Sequence, residues 1–195
     1  FGGTPLSSSF EKQLKKVDQL IIHGQFKEAL SVIKEGLKKK DISKEAELSF
    51  LILKSEVAYY LGNLQETLQL AELVLKESKG LANVLLQLDA LIWIVASSWW
   101  AGKLSKALEA AEKGFEIISS ATNLPAKAIA KRKAQLLLWK TQFITDLGGD
   151  FEKGLELAKE ALSFAEESGY KNIISHSLII FDGVYRFLGE PKKGV

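Results

Sequence analysis

The sequence predicts an all-α protein made of repeated helix–turn–helix units. The chain of 195 residues contains only 3 prolines, and Ala, Leu, Lys and Glu, which favour helices, occur throughout it. A glycine-centred turn recurs along the chain, and no segment alternates polar and apolar residues for long enough to indicate a strand. These turns and other segments that interrupt the helical pattern predict about nine helices. They cover residues 9–23, 26–39, 44–61, 64–78, 82–101, 104–121, 126–147, 151–168 and 172–188.

The recurring turn has its own short motif. A glycine is followed two residues later by Phe or Leu, and five residues later by a small residue or Thr and then by Leu. The motif reads GQFKEAL from Gly24, GNLQETL from Gly62, GKLSKAL from Gly102 and GDFEKGL from Gly149, with a degenerate copy at Gly189. Successive glycines are 38, 40, 47 and 40 residues apart. Because glycine readily adopts the left-handed backbone that ends a helix, each motif predicts a helix end followed by a new helix.

The helices on either side of each glycine are predicted from apolar residues at spacings of three and four, which lie on one helix face. In the first repeat these are Leu14, Val17, Leu20 and Ile21 before the turn, and Leu30, Ile33 and Leu37 after it. Three second helices further on carry Leu68, Ala71 and Leu75, then Leu108, Ala111 and Phe115, then Leu155, Ala158 and Leu162. The small residues Ala29, Ala107 and Gly154 predict a close approach between the two helices of a hairpin. The remaining breaks are at 40–43, 78–80, 122–125 and 168–170.

These features resemble the tetratricopeptide repeats. The likeness rests on the Gly-x-(Phe/Leu)-x-x-Ala-Leu turn and on an Ala-Leu-like pair near the end of each second helix, such as Gly36-Leu37 and Ala161-Leu162. The periods exceed the 34 residues typical of that family, and its repeat-ending proline is absent. The resemblance implies a right-handed superhelical solenoid of antiparallel helix hairpins.

The domain prediction follows from this resemblance, which covers residues 10–189. One domain contains repeats at about 10–43, 44–80, 81–123 and 126–169 and a final helix at 172–188. Residues 1–9 are predicted to be a flexible leader, and 190–195 a tail. The start has no basic region followed by an apolar run, so no signal peptide is predicted and the expected location is cytoplasmic.

The composition argues against most kinds of catalysis. The absence of cysteine excludes disulfides, Cys-zinc sites, iron–sulfur clusters and thiol nucleophiles. The two histidines, His23 and His176, are far apart in the chain, and no phosphate-binding loop, nucleophile elbow or His-Glu-x-x-His motif occurs. We therefore predict that the protein is not an enzyme and has neither a cofactor nor a metal site. His23 is expected to bond the last carbonyls of its helix, and His176 to be a packing or groove residue.

The charge balance argues against a nucleic-acid partner. Lys and Arg number 26 and Asp and Glu 24, which leaves a net charge of only +2. The basic runs are Lys38–Lys40 and the set Lys127, Lys131, Arg132 and Lys133, and acidic residues are equally dense elsewhere. Charge runs at helix ends are usually solvated and complement the helix dipole.

One segment, 81–102, is long and apolar enough to test as a membrane span. Asp89 lies near its middle and would cost about 2.5–3.5 kcal/mol on insertion. The segment is therefore predicted to be a helix packed on several sides, and no membrane span is predicted.

The aromatic residues are concentrated in the middle of the chain. The resemblance implies that first helices line a concave groove, with the positions two and three before each turn glycine facing it. Before Gly62 and Gly102 those positions are Tyr59, Tyr60, Trp99 and Trp100, for which a groove position and a core position both stay open. The same count gives Ile21 and Ile22 before Gly24, and Arg186 and Phe187 before Gly189. Trp93 and Trp139 are predicted to be core residues. The polar groups of the predicted groove are Glu56, Asp89, Gln142 and Arg186.

Two functions are compatible with such a groove. The first is a scaffold that binds a peptide or helical segment of a partner protein through aromatic anchors. The alternative is a sensor domain of a larger regulator, in which a small ligand or peptide changes the curvature of the superhelix.

The last predicted helix, 172–188, is apolar over more than one face. A terminal helix of a repeat array should be polar on its outer side. Its face is therefore predicted to be covered by a further helix or by another copy of the chain, with packing into the preceding repeat as the alternative.

Overall fold

The structure is a computed structural model that describes residues 8–189, and this part of the chain contains nine α-helices and no strand. The helices are α1 (Ser8–Ile22), α2 (Phe26–Leu37), α3 (Lys44–Tyr60), α4 (Leu64–Gly80), α5 (Val84–Trp100), α6 (Leu104–Ser120), α7 (Ala126–Gly148), α8 (Phe151–Ser168) and α9 (Lys171–Phe187). The predicted all-α class is confirmed, and every predicted helix end lies within two residues of the observed one.

The two predicted terminal segments lie mostly outside the described residues. Residues 8 and 9, which the domain prediction assigned to the leader, belong to α1. The predicted tail, 190–195, lies wholly outside the described residues.

All five turn glycines adopt the left-handed backbone that the motif predicts. Their φ angles are +70° at Gly24, +77° at Gly62, +70° at Gly102, +65° at Gly149 and +75° at Gly189. In the first three turns, the residue after the glycine donates its backbone N–H to the carbonyl five residues earlier, at 2.8 Å each time. These bonds satisfy carbonyls that the end of a helix would otherwise leave unpaired.

The break between α4 and α5 comes later than predicted. The helix continues through Gly80, and Ala82 takes the left-handed backbone instead, with φ +51°. The Asn83 side chain then accepts the Leu86 backbone N–H at 3.0 Å and so starts α5. Helix continuation and the Asn83 cap together move the turn to a non-glycine residue.

The chain divides into two compact units, one up to Ala110 and one from Ala111, and α6 runs through the division. In the first unit α1 packs on α2, α2 on α3, α3 on α4 and α4 on α5, and the first helices α1, α3 and α5 also contact in succession. In the second unit α7 packs on α8, α8 on α9, and α7 on α9. In helical repeat proteins, each helix typically contacts the next helix in the chain, and the first helix of one repeat contacts the first helix of the following repeat.

Close helix approach occurs at the predicted small residues. Ala29 and Ala107 are fully buried, and a Cβ atom at Gly154 would lie 2.5 Å from the Thr145 methyl carbon. In the second repeat Thr67 takes this position. Its hydroxyl donates to the Ser55 carbonyl at 3.3 Å, and the Ser55 hydroxyl donates to the Thr67 carbonyl at 2.9 Å. A polar side chain is tolerated in this contact because its hydrogen bonds are satisfied.

The segment tested as a membrane span forms α5. Eleven of its residues are buried in the protein, while Asp89 is half-buried. Within residues 8–189, none of the helices combines the length and the apolar character that a membrane crossing requires.

Candidate binding surface

The four aromatic residues left open by the sequence differ in exposure. Tyr60 and Trp100 are exposed, whereas Tyr59 and Trp99 are half-buried. Trp93 and Trp139 are buried, which confirms their prediction as core residues. Tyr60 and Trp100 therefore offer the largest contact surface of the four.

Five aromatic side chains of the first unit form one cluster, here called the aromatic patch: Phe26, Tyr59, Tyr60, Trp93 and Trp100. Phe26 stacks on Tyr60 with ring centroids 5.6 Å apart and an interplanar angle of 13°. Trp93 lies beneath both tyrosines, at 5.2 Å from Tyr59 and 6.1 Å from Tyr60. The Trp100 indole Nε1–H donates to the Tyr59 hydroxyl at 2.8 Å. Each ring of the patch is thus held in place by others.

Phe26 is a member of this surface that the sequence did not indicate. Phe26 stands two residues after the turn glycine Gly24 and was not among the predicted groove residues. Phe26 stacks on Tyr60 of the next repeat, and Phe151 stacks on Phe187 in the same way, with centroids 5.0 Å apart. The recurrence of Phe at this position was the available signal, but its partner depends on how repeats stack.

A single motif position is exposed and apolar in all five turns. The residue two before the glycine is Ile22 (44% exposed), Tyr60 (51%), Trp100 (59%), Leu147 (53%) or Phe187 (76%). Three of these lie in the first unit and two in the second. Single exposed apolar side chains are common on protein surfaces, so a contact surface is indicated only where such side chains adjoin others, as Tyr60 and Trp100 do in the aromatic patch.

The predicted polar groups are divided between the two units. Glu56 on α3 and Asp89 on α5 are half-buried in the first unit. Gln142 is half-buried on α7, and Arg186 on α9 is exposed and paired with Asp182 at 2.6 Å. Of the predicted set, the structure joins Tyr59 to Trp100 by a hydrogen bond and Tyr59 to Tyr60 by ring contact.

Both tyrosines of the patch are held in the neutral form. Burial raises the pKa of Tyr59, and the bond from the Trp100 indole opposes this with a smaller effect. Partial burial also raises the pKa of Tyr60, and the charges of Glu56 and Tyr59 raise it further. At neutral pH both hydroxyls are protonated, as an unperturbed tyrosine also is, and can donate and accept hydrogen bonds.

The raised pKa values of Tyr59 and Tyr60 predict that the folded protein loses stability in alkali. Because the folded chain holds these protons more tightly than the unfolded chain, the stabilisation is complete below about pH 10 and is lost above it. We expect the free energy of unfolding to fall between about pH 10 and 11, and to fall less steeply in Tyr60→Phe, which lacks one of the ionising groups. Urea unfolding at a series of pH values measures both slopes; equal slopes would contradict the prediction.

Three of the four basic residues predicted on α7 have partners within the second unit. Lys133 pairs with Glu160 at 3.3 Å and lies 3.9 Å from the Phe164 ring centroid. Lys131 lies 4.6 Å from the Tyr170 ring centroid, and Arg132 donates to the Ala128 carbonyl at 2.8 Å. In the other run, Lys39 donates to Gln13 at 2.8 Å. Cations with such partners are less available to phosphate groups.

The histidines take separate positions. His23 Nδ1 lies 2.7 Å from the Gln19 carbonyl oxygen, so the predicted bond to a carbonyl at the helix end is confirmed. His176 is exposed on α9. Among residues 8–189, no three His, Asp or Glu side chains lie close enough together to hold a metal ion.

The last helix buries much of its apolar surface. Ile173, Val184 and Tyr185 are buried, and Phe181 is half-buried against Tyr185, with centroids 4.7 Å apart. Ile179 stays exposed, as do Phe187 and the polar Ser175 and Arg186. This arrangement is expected where α9 packs into the preceding repeat. Self-association through α9 stays a prediction.

Comparison with protein-family models, with curated proteins and with solved structures finds no match to this chain. The likeness to tetratricopeptide repeats therefore stays a resemblance based on the motif.

Proposed function

We propose that the protein is an interaction scaffold, a right-handed superhelix of tetratricopeptide-like hairpins that binds a peptide or helical segment of a partner protein. The aromatic patch of the first unit is the proposed contact surface. The observation that carries this proposal is the exposed Trp100, whose indole is already oriented by its bond to Tyr59.

Two physical arguments support this choice of surface. Tryptophan and tyrosine supply most of the binding energy at many protein interfaces, because they bury a large area and keep a polar group. Rings that are ordered before binding also lose less conformational entropy when the partner arrives. The stacked and hydrogen-bonded rings of the patch meet both conditions.

Trp100→Ala is expected to weaken binding of selected peptides by at least about tenfold, equivalent to about 1.4 kcal/mol. Peptides would first be selected from a random-sequence display library on the whole chain, and their affinities for each variant measured by fluorescence anisotropy. Because Trp100 is exposed, the melting temperature should change little.

Leu73→Ala is the matched control, because Leu73 is an exposed apolar residue on α4 outside the patch. Its affinity for the same peptides should equal that of the wild type. Unchanged binding by Trp100→Ala, or a library that yields no binder, would overturn the proposed function.

A further inference from the structure

A groove of about 450 Å³ lies in the first unit, between the first turns of α4 and the turn that joins α5 to α6. Its walls are formed by apolar and amide side chains and one lysine: Leu64, Gln65, Leu68, Gln69, Ala101 and Lys103. Ala101 directly follows Trp100 in the chain, so the groove begins beside the aromatic patch. A volume of this size accommodates a large side chain.

The repeat pattern distinguishes the turn beside this groove from two other turns. After two of the turns, a Phe stands two residues beyond the glycine. Its ring stacks on the residue that lies two before the next turn glycine, as Phe26 does on Tyr60 and Phe151 does on Phe187. After the second turn this position is Leu64, and the corresponding residue before the next glycine is Trp100. A leucine has no ring to stack, and the Trp100 indole N–H is directed to Tyr59. No ring at position 64 therefore stacks on Trp100, and the groove lies beside Leu64 with Ala101 and Lys103 on its other wall.

The charge at the groove favours an acidic partner. Lys103 is the one charged side chain among the described residues that line it. The nearby carboxylates of α4 are paired with other lysines, because Glu66 lies 2.7 Å from Lys54 and Glu72 is bonded to Lys106. A carboxylate near Lys103 would thus meet a positive charge that these acidic residues do not neutralise.

We infer that this groove receives a large apolar side chain, aromatic in its best fit, with an Asp or Glu next to it in the partner segment. The apolar side chain would pack on Leu64, Leu68 and Ala101, and the carboxylate would accept from the Lys103 ammonium. The amides of Gln65 and Gln69 can bond the partner's backbone. This inference rests on the proposed function and names the chemistry of its partner.

Random-sequence peptide pools that differ only in a fixed central pair test this chemistry on the whole chain. The pairs are Phe-Asp, Phe-Asn, Phe-Lys and Ala-Asp. We expect the Phe-Asp pool to bind about tenfold more tightly than the Phe-Lys and Ala-Asp pools, with Phe-Asn between them. Lys103→Gln should remove the preference for Asp, while Lys76→Gln, an exposed lysine of α4 outside the lining, should keep it.

A second variant fills the groove with the ring found in the other repeats. Leu64→Phe should remove the preference for Phe over Ala without lowering the melting temperature, because the new ring occupies the space that the partner would use. Leu104→Phe, at the same motif position after the third turn and outside the lining, should leave that preference unchanged.

The outcomes separate this inference from the function on which it rests. The groove assignment is overturned if the wild-type chain binds all pools equally and neither Lys103→Gln nor Leu64→Phe has an effect. The scaffold function still stands in that case if Trp100→Ala weakens the binding of every pool. Tighter binding of the Phe-Lys pool also overturns the groove assignment. If no pool binds the wild-type chain, both proposals fail.

Discussion

Phe50→Ala is expected to lower the free energy of unfolding of the first unit by about 3–5 kcal/mol. Phe50 on α3 is fully buried, and its ring packs edge-on against Phe10 of α1 with centroids 6.4 Å apart. The same ring faces Gly36 of α2, where a Cβ atom would lie only 2.5–2.9 Å from three ring carbons. Truncation therefore opens a cavity where three helices meet, and packed helices close such a cavity only partly.

Urea unfolding followed by circular dichroism measures this loss. Leu73→Ala serves as the control on an exposed leucine, and we expect it to change stability by no more than about 0.5 kcal/mol. A loss below about 1 kcal/mol for Phe50→Ala would show that this contact between α1, α2 and α3 does not hold the unit together.

Gly154→Ala is expected to destabilise the second unit by about 1–3 kcal/mol, although alanine is the better helix former by about 1 kcal/mol. Gly154 on α8 is buried, and the new Cβ atom would lie 2.5 Å from the Thr145 methyl carbon of α7. Thr145 is β-branched, and its hydroxyl donates to the Thr141 carbonyl at 3.1 Å. Rotation of the methyl group away from the clash would break that bond, so the helices must separate instead.

Two variants test this explanation. Gly183→Ala is the matched control, because Gly183 lies within α9 and an added Cβ atom would meet no atom within 4 Å. We expect it to stabilise the unit by about 0.5–1 kcal/mol. Thr145→Ser removes the methyl carbon but keeps the hydroxyl, so it should relieve most of the loss in Gly154→Ala. Stabilisation by Gly154→Ala alone would contradict the close approach.

The candidate surface was only partly predictable. Counting back from the turn glycines indicated Tyr60 and Trp100, and both are exposed. The same count indicated Tyr59 and Trp99, but both are half-buried. Adjacent residues of a helix point about 100° apart, and only packing decides which of the two faces solvent. The groove beside Leu64 had no sequence signal, since its space depends on the residue that the next repeat places opposite.

The sequence by itself determined where the helices begin and end, because local chemistry controls these points. Glycines with left-handed backbone end the first helices, and side chains such as Asn63 and Asp150 start the next ones by accepting backbone N–H groups at 3.2 and 2.9 Å. Ala82 marks the limit of this local rule, since a non-glycine residue takes the left-handed turn before α5. Only the tertiary structure decided that Phe26 stacks on the following repeat and that Leu64 leaves a groove. Those outcomes depend on which side chains from distant parts of the chain meet, and on how well their shapes fill the space between helices.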